Sequence, residues 1–150
     1  MHKLKKMFIL LTSVLFLGNT VMASGVGSIN YQKVQDNYPY AQKVIKEVEA
    51  KALALQQYIT DKEKEFKSID TPLKKKAFED KITVEFKDKE NAFINYKLKK
   101  EEEIYKKIQE AAKAVMVEQN LDAVIDYRVM FIGGVDISDL VIEKLKGGKQ

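Results

Sequence analysis

The most constraining feature of this sequence is one long helical stretch, residues 40–119, that is interrupted once. The interruption lies at 68–72, where Asp70 or Thr71 can cap a new helix. Pro72 suits a first helical position, because that position needs no amide donor. At 1.5 Å per residue, the helix before the interruption would be about 45 Å long. We therefore expect the chain to run out, turn near 68–72 and return as a second helix.

Apolar residues recur along the first helix at alternating steps of three and four, with Lys62 as the single polar interruption. They are Ile45, Val48, Ala52, Leu55, Ile59, Phe66 and Ile69. This a/d pattern predicts a coiled-coil contact with one partner helix. The second helix has its own stripe, with gaps around Lys89, Lys97 and Lys100. Its members are Phe78, Ile82, Phe86, Phe93, Ile104, Ile108, Ala111 and Val115. The stripes predict a long antiparallel helical hairpin, and the gaps predict loose packing.

Charged residues along both helices are spaced for acid-first i,i+4 ion pairs. The pairs are Glu47 with Lys51, Glu63 with Lys67, Glu85 with Lys89, Glu102 with Lys106 and Glu103 with Lys107. Such pairs contribute about 0.2–0.5 kcal/mol each and favour long helices in contact with solvent. A two-helix hairpin covers only one side of each helix. We therefore expect its aromatic side chains to be partly exposed.

The first 23 residues have the layout of a secretory signal peptide. A basic start with three lysines precedes an apolar run over 7–18, and a Val-Met-Ala sequence ends at Ala23. The run is shorter than the roughly 20 apolar residues that cross a bilayer. We predict cleavage after Ala23 and a mature protein in an exported compartment. Because the sequence has no cysteine, a lipoprotein anchor is excluded.

Removal of this segment changes both the charge and the available chemistry. The full sequence has 26 basic and 22 acidic residues, a net charge of +4, and loss of three lysines leaves 23 against 22, or +1. This balance gives no reason to expect a nucleic-acid partner. The only histidine, His2, leaves with the signal peptide. Because imidazole and thiolate chemistry is then missing, we predict no enzymatic activity, no cofactor and no metal site.

The remaining residues, 24–39 and 120–150, predict a small body. These 47 residues contain three apolar segments that we interpret as strands, at 26–30, 123–126 and 129–132, and a helix over about 139–145. Domains of this size usually need disulfides, metal or oligomerisation. We therefore predict a mainly α protein with the hairpin on a small β-rich oligomerisation body, in which several copies share a sheet. The residues assigned to that body are Val26, Ile29, Val124, Ile125, Val129 and Phe131.

Four motifs in this layout resemble the Skp/OmpH family of periplasmic chaperones. They are VGSINYQKV at 26–34, YPY at 38–40, LDAVID at 121–126 and VDISDLV at 135–141. The resemblance spans the mature region. It implies a homotrimer whose β-rich body carries three helical tentacles around a cavity. It also implies a role in outer membrane protein assembly, in which the periplasmic trimer holds unfolded outer-membrane proteins without ATP.

The physical basis of such holding is a wall of many weak contacts. Unfolded β-barrel precursors expose alternating apolar residues and aggregate in water. Our candidates for client binding are the aromatic residues of the hairpin and the lysines near its turn: Phe66, Phe78, Phe86, Phe93, Tyr96, Lys74, Lys75 and Lys76. Residues 62–81 hold seven basic and five acidic side chains, which predicts modest electrostatic steering.

One other function fits the same pattern. A structural or adaptor coiled-coil protein of the cell envelope would use a continuous heptad seam to bind one folded partner. Contact with a membrane surface is possible but not indicated, because it needs a strongly basic polar face. The helical stretch 40–119 holds 18 basic and 16 acidic residues.

Overall fold

The computed structural model of the protein describes residues 25–147. The predicted signal peptide and His2 lie outside the described residues. In chain order the elements are β1 (Gly25–Ile29), α1 (Tyr31–Asn37), α2 (Pro39–Lys67), α3 (Pro72–Glu118), β2 (Leu121–Asp126), a 3-10 turn (Tyr127–Val129), β3 (Val135–Asp136) and α4 (Ser138–Gly147). The protein is therefore mainly helical, with one small sheet.

Helices α2 and α3 contain 29 and 47 residues, and each begins with proline in its first turn. At the end of α2, the Ser68 hydroxyl donates to the carbonyl of Glu65. Thr71 stands at the N-cap position of α3 in an extended conformation, without a side-chain cap bond. The two helices lie side by side in opposite directions, since Tyr40 contacts Glu103 at one end and Phe66 contacts Phe78 near the turn.

The hydrophobic core lies at the end of this helix pair that is remote from the turn. Its buried residues come from α1, α2, α3 and the segment that begins α4: Val34, Tyr38, Ala41, Val44, Ile104, Ile108, Ala111, Val115, Ile137, Val141 and Ile142. Between residues 45 and 103 no side chain is buried. Apolar packing therefore anchors the base of the helix pair, while the rest of the pair stays open to solvent.

The sheet has three parallel strands in the order β2-β1-β3. Gly27 lies in the central strand opposite Val124, and a Cβ at this glycine would lie 2.9 Å from the Leu121 side chain. Behind the sheet, the buried Ser138 accepts a hydrogen bond from the amide of Asn30 and donates one to Asp136. The first and last described segments are thus joined at the base.

Two expectations about the body were wrong. Residues 31–37 form helix α1, so the body holds two helices as well as three short strands and is less β-rich than predicted. Residues 129–132 form no strand, because the Asp126 carboxylate accepts the Arg128 amide and starts a 3-10 turn. The third strand is instead Val135–Asp136, which follows a bend at Gly133 and Gly134.

None of the helices within residues 25–147 combines the length and the hydrophobicity that a membrane-spanning segment needs.

Candidate functional site

An open apolar groove lies between α2 and α3, near their turn. It has a volume of about 500 Å³. Its apolar wall residues are Ile59, Phe66, Phe78, Ile82 and Phe86, and its polar ones are Tyr58, Lys62, Glu63, Lys67, Glu79 and Thr83. Within residues 25–147, no third helix lines this groove. The aromatic rings therefore remain partly exposed, as the sequence predicted.

Lysine side chains lie close to the aromatic rings of this groove. The Phe66 and Phe78 rings are 6.2 Å apart and tilted by 38°. The Lys75 ammonium lies 5.3 Å from the Phe66 ring centre, and the Lys62 ammonium lies 5.8 Å from that of Phe78. Both distances are within the range of cation–π attraction. The groove therefore combines apolar surface with lysine ammonium groups close to its rings.

The structure brings some of the sequence-derived candidates together and separates others. Phe66, Phe78 and Phe86 share the groove wall, and Lys75 reaches it through Phe66. Phe93, Tyr96, Lys74 and Lys76 lie outside the groove lining, and the two lysines are exposed. The sequence reasoning missed Tyr58, Ile59 and Ile82 as site residues, although both isoleucines belong to the predicted stripes.

Four of the five predicted acid-first ion pairs are absent, and only Glu102 with Lys106 forms, at 2.7 Å. Three of the missing pairs contact a tyrosine of the opposite helix instead. In each, the glutamate accepts the tyrosine hydroxyl and the lysine lies over the ring. We call these units tyrosine clasps: Tyr58 with Glu85 and Lys89, Tyr96 with Glu47 and Lys51, and Tyr40 with Glu103 and Lys107. The hydroxyl–carboxylate distances are 2.7, 2.6 and 2.8 Å, and the ammonium–ring distances are 4.9, 4.6 and 5.9 Å.

The hydrogen bonds of the clasps shift the proton affinities of their members. The Tyr58 hydroxyl lowers the pKa of Glu85, and the Glu85 carboxylate raises the pKa of Tyr58. In the clasp nearest the base, Lys100 also contacts Glu103 at 2.6 Å, and this bond is the main cause of the lowered pKa of Glu103. At neutral pH Glu85 and Glu103 are therefore charged, and Tyr58 and Tyr96 are protonated, as their hydrogen bonds require.

The residues that we assigned to the body divide into two groups. Ile29 and Val124 are partly buried and line a second open groove of about 1250 Å³ beside α3, which also includes Tyr31 and Tyr105. The other four are exposed: Val26, Ile125, Val129 and Phe131. The body thus presents apolar surface that no other part of the described chain covers.

Within residues 25–147, no group of three histidine, cysteine, aspartate or glutamate side chains is placed to hold a metal ion.

Comparison with known proteins gives one family and a distant structural likeness. A family model described as "Outer membrane protein (OmpH-like)" matches residues 25–145. Among solved structures, the chain is similar to a putative outer membrane chaperone (OmpH-like) from Caulobacter crescentus. That match has 16% sequence identity and a TM-score of 0.37, and it covers 81% of this chain and 83% of the other. No curated protein matches the sequence.

Proposed function

The chain belongs to the OmpH-like family of outer membrane proteins, and we propose that it is a chaperone that binds unfolded outer-membrane β-barrel proteins and prevents their aggregation without nucleotide. The sequence motifs had indicated this family, and the match over residues 25–145 confirms that assignment. The client-binding activity, the periplasmic location and the homotrimer are our proposals.

The observation that carries the proposal is the open aromatic groove near the turn of the helix pair. An unfolded β-barrel strand places alternate side chains on one face, about 6.6 Å apart for residues i and i+2. The α2 part of the groove wall, from Tyr58 to Lys67, is about 14 Å long along the helix axis. It is therefore long enough for two such side chains. The rings of Phe66, Phe78 and Phe86 would contact them while the rest of the segment stays in solvent.

Partial exposure of the groove suits a protein that must release its client. A fully buried phenylalanine contributes about 1.5–3 kcal/mol to binding, and a partly covered one contributes less. Several contacts of that size are enough to hold a client when they act together, but each single contact breaks easily. Lys62 and Lys67 at the wall offer short-range contacts to acidic side chains of the client, because Glu63 and Glu79 balance their charge over longer distances.

Self-association is the second part of the proposal. The exposed apolar side chains of the body, among them Val129 and Phe131, need a cover in water. We propose that two further copies provide it and that the homotrimer surrounds the client with three helix pairs. The predicted signal peptide supports a periplasmic location for this assembly, between export of its clients and their insertion into the outer membrane.

The proposal is tested by dilution of a urea-unfolded outer-membrane β-barrel protein into buffer that contains the mature protein and no nucleotide. Light scattering reports aggregation of the client. We expect suppression that saturates at about three chains per client, because one proposed homotrimer, a closed cyclic assembly, would hold one client molecule. Persistent aggregation at a large excess of chaperone would overturn the proposal. A 1:1 complex with a folded envelope protein would then support the adaptor alternative.

A further inference from the structure

The three tyrosine clasps have a common geometry that local ion pairing does not explain. Along α2 the participating residues are Tyr40, Glu47 and Tyr58, with steps of seven and then eleven residues. Along α3 the steps from Glu85 to Tyr96 and to Glu103 are eleven and then seven. Because the helices run in opposite directions, the two sets of steps match. All three clasps therefore report the same alignment of α2 with α3.

Steps of seven and eleven residues also keep the clasps on one side of each helix. At about 100° per residue, seven residues fall about 20° short of two turns, and eleven exceed three turns by about 20°. The deviations cancel over the full eighteen residues. A shift of α3 against α2 by one turn would break all three hydroxyl–carboxylate bonds together. Because all three bonds depend on the same alignment of α2 with α3, together they favour that alignment over one shifted by a helical turn.

The clasps extend from the core at the base into the part of the helix pair where apolar packing is weakest. Two of them, at Tyr58 and Tyr96, fall within residues 45–103, where no side chain is buried. A continuous heptad seam would fix the alignment of such a pair, but here it is interrupted by Lys62 on α2. The hydroxyl of Tyr58 lies in the groove wall itself, and its partner Glu85 immediately precedes Phe86.

We propose that the tyrosine clasps are positioning elements that hold α2 and α3 in the alignment that forms the client groove, and that acid releases them. The groove part of this inference rests on the proposed function, whereas the alignment part does not. Tyr58, Glu85 and Lys89 act directly on the groove, and the other two clasps keep the remainder of the pair aligned with it.

Acid sensitivity follows from the charged partner in each clasp. Glu85 is faced by Tyr58 and Lys62 from α2 and by Lys81 from its own helix, while Lys89 lies over the Tyr58 ring. These groups favour its carboxylate form, so its charge persists at neutral pH. When the carboxylate takes up a proton, it becomes a weaker acceptor and loses its attraction for the lysines.

The other two clasps have comparable surroundings. Glu103 is faced by Tyr40 from α2 and by Lys99 and Lys100 from α3, while Lys107 lies over the Tyr40 ring. Glu47 accepts from Tyr96 on α3, with Lys43 and Lys51 on its own helix.

The sign of the pH dependence is fixed by the direction of the shifts. Because the pKa values of Glu85 and Glu103 are lowered by folding, their stabilisation is complete above the ordinary value of 4.5 and is lost as the pH falls through the lowered values. Because the pKa values of Tyr58 and Tyr96 are raised, their stabilisation is complete below 10.0 and is lost above it. The clasps are therefore closed throughout the neutral range.

Distance measurement between the helices tests the alignment without a client. The sequence has no cysteine, so the replacements Ala54→Cys on α2 and Asn91→Cys on α3 place two spin labels at exposed positions outside the clasps and the groove. Pulsed electron spin resonance on the full mature chain gives the distance distribution. A narrow distribution is expected at pH 7.5. It should broaden when Tyr40, Tyr58 and Tyr96 are all replaced by phenylalanine, and also when the protein with intact clasps is titrated with acid to below the ordinary glutamate pKa of 4.5.

The control and the overturning results are specific. Tyr105→Phe removes an α3 hydroxyl that makes no hydrogen bond among the described residues, and it should leave the distribution narrow. The triple variant should show no further broadening in acid, because it has no hydroxyl to lose. A narrow distribution for the triple variant at pH 7.5 would overturn the inference. Circular dichroism shows whether helix content is kept, and a triple variant that unfolds is replaced by Glu85→Gln, which mimics the acid form of one clasp.

Client binding separates this inference from the proposed function. Tyr58→Phe keeps the ring in the groove wall but removes the hydroxyl, and it should raise the Kd for an unfolded β-barrel client about threefold, as loss of one modest hydrogen bond does. An unchanged Kd together with an unchanged distance distribution would overturn the positioning role. If the wild-type protein holds no client but its clasps control the distance, the proposed function fails and the alignment role stands.

Discussion

Two phenylalanines on α3 offer a matched test of the groove at the scale of single residues. Phe86 and Phe93 are both partly buried, but only Phe86 lines the groove. We predict that Phe86→Ser weakens client holding about fivefold, since it removes roughly 1 kcal/mol of apolar contact. Phe93→Ser should change it much less. Light-scattering titrations of the two variants give the comparison, and equal losses would show that contact is not confined to the groove.

The residue scale also shows where sequence reasoning succeeds and fails. The predicted stripes contain Phe66, Phe78 and Phe86, and all three lie in the groove wall, where Phe66 on α2 is close to Phe78 on α3. The ion pairs failed because the i,i+4 rule considers one helix in isolation. Glu85 and Lys89 have the right spacing to pair with each other, but a tyrosine on the opposite helix engages both. Only knowledge of the alignment reveals that competition.

At the scale of elements, the segment after β2 shows local turn chemistry that overrides strand propensity. Residues 129–132 are β-branched and aromatic enough to predict a strand, yet the Asp126 side chain caps a turn instead. Gly133 and Gly134 then adopt φ values of +87° and +83°, which side chains rarely adopt. The sequence did contain this signal, since a Gly-Gly pair directly follows the apolar run.

These two glycines provide a paired test of the bend. Replacement of either glycine by alanine costs about 1–2 kcal/mol, because alanine is strained in the left-handed conformation. At Gly133 the added methyl group meets open space, whereas at Gly134 it would collide with the Met130 sulfur. We therefore predict that Gly134→Ala lowers the free energy of unfolding more than Gly133→Ala does. Urea titrations followed by circular dichroism measure both, and the reverse order would show that the bend is not packed against Met130.

For the whole molecule, the sequence predicts the arrangement of a long helix pair on a small body but not the number of copies. The helical periods and the proline-marked turn depend only on local sequence, and the structure has both. Stoichiometry depends on how surfaces of different copies fit. A single chain shows only that apolar surface remains exposed at the body.

That surface is the basis of a prediction about assembly. Val129, Phe131 and Ile132 are 75%, 102% and 87% exposed in the single chain, within four consecutive residues. Monomeric soluble proteins rarely leave such contiguous patches uncovered. We predict that Val129→Ser combined with Phe131→Ser converts the proposed homotrimer into monomers. Multi-angle light scattering of the mature protein gives the mass directly.

The matched control is Leu73, which is 81% exposed in the first turn of α3, close to the turn of the helix pair. Leu73→Ser removes a comparable exposed apolar side chain but should leave the mass unchanged, because the proposed contact between copies lies at the body. If the trimer survives both body substitutions, the contact between copies lies elsewhere, and the groove lined by Tyr31 and Tyr105 becomes the candidate interface. A monomeric wild type would leave each helix pair to act alone. Holding of a client would then need several independent chains, and its onset would depend steeply on protein concentration rather than saturate at a fixed ratio.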